Sequence, residues 1–84
     1  MPRKSLEPRT ALSEVIAMRR TQKGLTQAEF ALKIGVRQQV YARIERDADL
    51  CQTATLRRIA KALDVPLSRL HKHAEWWALH HARC

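Results

Sequence analysis

Apolar residues recur along this chain at intervals of three and four and never in strict two-residue alternation, a pattern that predicts helices and no strands. The first stripe, Leu12, Val15, Ile16 and Arg19 with Ala11 and Met18 beside it, predicts a helix from about Pro8 or Thr10 to Gln22. Phe30, Ala31 and Ile34 mark the inner side of a second helix beginning at Thr26. Val36, Tyr41 and Ile44 form the buried side of a third, from about Arg37 to Arg46, leaving Gln38, Gln39, Ala42, Arg43 and Arg46 outward. Leu56, Ile59, Ala60 and Leu63 define a fourth from about Thr53 to Leu63. Leu67, Leu70, Ala74, Trp77 and Ala78 carry a fifth through the tail to about His80.

The punctuation between stripes agrees with this reading. Gly24 follows Arg19, Arg20 and Lys23, cations suited to a helix C-terminus, and stands where a left-handed residue ends a helix. Thr26-Gln27-Ala28-Glu29 has the spacing of a reciprocal cap, in which the threonine serves the Glu29 amide and Glu29 reaches back. Gly35 closes the second helix with a residue free to take positive φ. Pro66 suits the first turn of the last helix. The fold class expected is therefore all-α, with five helices.

Charge narrows the function. The chain's 84 residues, 45% of them apolar, are enough for one domain. Sixteen Lys and Arg against eight Asp and Glu leave a formal charge of +8, which points to a polyanionic partner. The basic residues are spread over several helices, unlike the single amphipathic strip of a membrane-surface helix. No apolar run approaches the roughly 20 residues that cross a bilayer. MPRKSLEPR has no apolar stretch behind its charges and is not expected to be a signal peptide. Cys51 and Cys84 make no disulfide framework, so a cytoplasmic setting is expected. No Ser/Cys–His constellation, glycine-rich phosphate loop or facing acidic pair suggests an enzyme, and no cofactor is expected.

Two short helices joined at a glycine inside a basic helical domain describe a helix-turn-helix. The stretch Gly24-Leu25-Thr26-Gln27-Ala28-Glu29-Phe30-Ala31-Leu32-Lys33-Ile34-Gly35-Val36, followed by Arg43-Ile44-Glu45-Arg46, resembles the Xre/Cro family typified by lambdoid phage repressors. Thr55 to Val65 resembles that family's fourth helix and its exit. The resemblance implies a repressor-like domain over 10–70, preceded by a basic arm over 1–9 and followed by a His/Trp-rich extension over 71–84. It implies a phosphate contact for Gln27 at the start of the first motif helix, where backbone amides also favour an anion. Arg37, Gln38, Gln39 and Arg43 match its groove-facing positions. A glutamine amide can read adenine and an arginine fork guanine. Arg37 and Arg46 stand equally as phosphate or water contacts. Arg20 and Glu45 match a largely buried ion pair between the first and third helices, a structural role.

Three positions depart from the family pattern. Arg37 stands where Ser or Thr often caps the recognition helix, and arginine cannot cap. Tyr41 replaces a commoner aliphatic residue, so its hydroxyl needs a partner. Asp47 replaces a frequent glycine, so the following loop is expected to turn differently.

The two ends carry separate expectations. Arg3, Lys4 and Arg9 form an arm that either follows a groove or ridge of nucleic acid or simply solubilises the chain. The tail holds all four histidines and both tryptophans. His80 or His81 could approach Cys84 on a helix, but a closed zinc site needs four ligands, and no metal is expected. Leu70, Trp76 and Trp77 are expected at a homodimer interface, against the alternative that they pack on their own core. The resulting expectation is a DNA-binding transcriptional repressor docking on double-stranded DNA as a dimer. HipB-like or HigA-like antitoxins, which bind a toxin protein as well as their operator, are the alternative, followed by the controller proteins of restriction–modification systems.

Overall fold

A computed structural model describes residues 10–81. Five helices occupy this stretch: α1 (Ala11–Gln22), α2 (Gln27–Ile34), α3 (Gln38–Arg46), α4 (Thr53–Ala62) and α5 (Leu67–His81). A short 3-10 turn over Ala48–Leu50 links α3 to α4, and there are no strands among the described residues. The arm over 1–9 and Cys84 lie outside the described residues.

Local chemistry explains the boundaries. Thr10 caps α1 by accepting from the Ser13 amide at 3.1 Å, while Ser13 Oγ accepts from the Thr10 amide at 3.0 Å and donates to the Thr10 carbonyl at 2.8 Å. That reciprocal arrangement explains how a serine can be fully buried, and it starts α1 at Ala11. Thr26 and Glu29 cap α2 as their spacing predicts, at 3.1 and 2.9 Å. Gly35 ends α2 at φ 78°, a conformation that lets the chain turn at once into α3. After α4, Asp64 takes φ 62°, a left-handed position that aspartate tolerates better than most residues.

The core draws on every helix: Val15 and Ile16 of α1, Phe30, Ala31 and Ile34 of α2, Tyr41 and Ile44 of α3, Leu56 and Ile59 of α4, and Leu70 of α5. The rings of Phe30 and Tyr41 meet at 5.1 Å in a tilted pair, joining α2 to α3. Helix α5 returns along α1. The Trp77 indole N–H donates to Glu14 Oε1 at 2.7 Å, and Arg19 Nε donates to His73 Nδ1 at 3.1 Å. Early residues of α1 thus meet late residues of α5, so the two helices run antiparallel.

This packing corrects part of the expected tail. Leu70, expected at a dimer contact, is 0% exposed and packs in the core of its own chain. Trp77 is half-buried against the same core. Ala78 is exposed, because His73 and Trp77, spaced i, i+4, take the face turned to α1. Ala42, expected outward, is half-buried. Trp76 (49% exposed) and Leu79 (80%) form the outward apolar part of α5.

Candidate nucleic-acid interface

Helix α3 presents a continuous polar face. Gln39, Arg43 and Arg46 follow i, i+4, i+7 and are exposed, with Gln38 beside them and Arg37 at the helix entrance. The opposite side holds Tyr41, Ile44 and Glu45, all buried. Arg37 occupies the cap position with extended backbone, is exposed, and makes no side-chain cap bond to the first-turn amides of α3. Such an end attracts an anion through its dipole and its uncommitted N–H groups together.

Behind that face lies a buried carboxylate. Glu45 is 6% exposed and collects donors from three helices. Arg20 Nε reaches Oε2 at 2.6 Å and Arg20 Nη2 reaches Oε1 at 3.3 Å. Gln27 Nε2 donates to Oε1 at 2.9 Å, and the Tyr41 hydroxyl donates to Oε2. Burial alone would raise the Glu45 pKa, but the hydrogen bonds from Arg20, Tyr41 and Gln27 outweigh it and hold the carboxyl below its ordinary value. The same contacts act on the donors. The hydrogen bond to Glu45 raises the Arg20 pKa against the effect of its own burial. Burial, reinforced by the Glu45 carboxylate, pushes the Tyr41 phenol far above its usual range. The cluster therefore stays as one charged pair with a neutral tyrosine, and it locks α1, α2 and α3 in one relative arrangement.

A helix, a glycine turn and a second helix with an exposed basic and amide-bearing face make a DNA-reading unit. A family description, helix-turn-helix, matches residues 16–70 of the chain. The chain belongs to the Xre/Cro-type helix-turn-helix family. It is a DNA-binding regulator in a family that is not enzymatic. A search among curated proteins found no match. No helix among the described residues is long and apolar enough to cross a membrane.

Within this helix-turn-helix, Arg37, Gln38, Gln39, Arg43 and Arg46 are all exposed, and Gln39, Arg43 and Arg46 share one face of α3. Gln27 stands at the start of α2, as the first residue of that helix. It is half-buried, with its amide nitrogen donating to Glu45, which leaves the second amide hydrogen and the carbonyl oxygen for another partner. Arg20 and Glu45 meet as an ion pair with side chains 12% and 8% exposed.

Two of the three departures from the family pattern find a local answer. The Tyr41 hydroxyl satisfies Glu45, and Asp47 accepts from the Asp49 amide at 3.1 Å to cap the 3-10 turn. Arg37 leaves the recognition helix uncapped by any side chain. Sequence reasoning passed over Val40, an apolar residue 44% exposed beside Gln39. Its spacing gave no clear signal, since it stands i, i+4 from the buried Ile44 and so borders the inward side of the helix.

Proposed function

We propose that this chain is a transcriptional repressor that binds a two-fold operator as a homodimer, each copy laying α3 in a major groove. The exposed row Arg37, Gln38, Gln39, Arg43 and Arg46, backed by a rigid buried ion pair, is the observation that carries the reading. Gln38 and Gln39 supply amides that suit adenine, and Arg43 a fork that suits guanine. Gln27 and Arg46 supply phosphate contacts at the edges of the face. Half-sites lie about 34 Å apart, one turn of the duplex. Trp76 and Leu79, outward on α5, supply the apolar centre of the dimer contact, a smaller patch than one that included Leu70. The protein works in the cytoplasm, where DNA is accessible.

Fluorescence anisotropy against DNA from immediately upstream of the gene, with a scrambled duplex alongside, tests this at low and near-physiological salt. Selective binding that survives the higher salt supports a self-sufficient repressor. Equal binding to both duplexes, released together by salt, reduces the affinity to counterion release and moves the antitoxin reading ahead. Replacing Gln38 and Gln39 by Ala is expected to cost about 1–3 kcal/mol of discrimination for each glutamine that reads a base bidentately. As surface changes they leave unfolding stability within about 0.5 kcal/mol. Loss of fold in that variant would count against base reading.

A further inference from the structure

A second basic surface lies between the C-terminal halves of α2 and α4. It is a groove of about 550 Å³ lined by Leu32, Lys33, Ile34, Gly35, Arg58, Lys61 and Ala62. Leu32 is 81% exposed, the largest exposure of any big apolar residue among the described residues. It sits five positions after Gln27 on α2, about 140° around the helix, so it points away from the side that meets Glu45.

Charge and apolarity coincide here. Three cations line the groove with no carboxylate among them. Neither described ion pair involves Lys33, Arg58 or Lys61. Part of this charge serves the helix ends. Lys33 and Lys61 stand in the last turns of α2 and α4, and Arg58 Nη1 reaches the Ile34 carbonyl at 3.5 Å. Each helix end carries only about half a negative charge, so two ends offset about one of the three positive charges. About two remain unanswered beside an exposed leucine.

We propose that this groove docks an acidic segment of a partner protein, whose carboxylates pair with Lys33, Arg58 and Lys61 while an apolar side chain covers Leu32. A nucleic-acid backbone would use the cations equally well but would gain nothing from Leu32, whereas a peptide mixing carboxylates with leucine uses both. None of Arg37, Gln38, Gln39, Arg43 and Arg46 lines the groove.

The test is a titration of the isotope-labelled full chain with a short blocked peptide of Asp, Glu and Leu, followed by amide NMR shifts at near-physiological salt. Expected are shifts at Leu32, Gly35, Lys61 and Ala62, absent with the Asn/Gln version of the peptide. Lys33→Gln with Lys61→Gln should weaken the peptide about tenfold, the scale of charge-assisted pairs. Leu32→Ser should weaken it several-fold while leaving duplex binding and thermal midpoint unchanged. Because Leu32 is exposed, that variant keeps the fold and isolates the apolar contribution. Shifts centred on Gln38 and Arg43, no binding, or duplex DNA displacing the peptide from the groove amides would each overturn the proposal. A failure of operator recognition in the anisotropy experiment would leave this result untouched, since Gln38 and Gln39 do not line the groove.

Discussion

Arg19 and Arg20 are neighbours on α1 carrying the same guanidinium, yet they bind different helices. About 100° of helical rotation separates them, so Arg20 faces α3 and Glu45 while Arg19 faces α5 and His73. The Arg20 side is buried, charged on both partners and tied to Tyr41 and Gln27. The Arg19 side is half-exposed and joins a cation to a neutral ring. Similar distances therefore carry different energetic weight. A buried charge whose partner is removed has no water to turn to, whereas a half-exposed one is resolvated at once.

The sharpest way to break this contrast is to truncate each arginine in turn. Arg20→Ala strands Glu45 in the interior and is expected to cost about 3–5 kcal/mol in urea unfolding. Arg19→Ala should cost less than about 1 kcal/mol. Equal losses would show that burial does not separate the two sites. Acid offers a second view of the Arg20 side. Glu45 has its pKa held below the ordinary 4.5, so its contribution is complete above that value and is lost as pH falls through the folded-state pKa. Arg20→Ala should flatten that acid limb.

A medium effect sharpens the α5 side. Trp77 packs half-buried on the core and donates to Glu14. Trp77→Ala is expected to cost about 2 kcal/mol, below the 3–5 kcal/mol of a fully buried tryptophan. It should leave operator selectivity intact, because α5 holds α1 and not α3. Sedimentation of the same variant bears on the dimer. If Trp76 and Leu79 form the contact, truncating Trp77 loosens it only indirectly, and Trp76→Ala is the variant that shifts the chain to monomer.

The two sides also differ in how far the chain alone disclosed them. Helix spans, the Thr26–Glu29 cap, the Gly35 turn and the inward Phe30, Ala31 and Ile34 follow from local spacing, and the structure places them as that spacing predicts. The Arg20–Glu45 pair, 25 residues apart, came from family resemblance, since no periodicity announces which distant arginine a glutamate meets. Nothing announced the contacts of α5. Arg19 and His73 are 54 residues apart, and their meeting depends on how α5 crosses α1. Counting apolar residues in the tail therefore overstated the surface left for a partner. Leu70 and Trp77 find cover within their own chain, because α1 offers a half-polar side able to take an indole N–H and an imidazole.

The smallest expected effect is the most selective probe of the α1–α5 side. His73 accepts from Arg19 through Nδ1, which requires the neutral ring, and it lies against the Trp76 and Trp77 rings at 6.2 and 5.9 Å. Burial, aided by the neighbouring Arg19 charge, lowers its pKa below the ordinary 6.5. The folded chain then refuses a proton that the unfolded chain accepts once the pH falls below about 6.5. Stability should be unaffected by His73 above that pH and decline as pH drops towards the folded-state value. The thermal midpoint followed from pH 7.5 to 5.5 measures it, with His73→Gln as the reference that keeps the shape but cannot titrate in this range. The difference between the two curves isolates this histidine from the others. The wild-type midpoint should fall relative to that of the variant only on the acidic side, and a wild-type midpoint that rises relative to the variant's as pH falls would mean that protonation strengthens the contact. The α1–α5 side would then be the charge-bearing one, and the contrast between Arg19 and Arg20 would have to be redrawn.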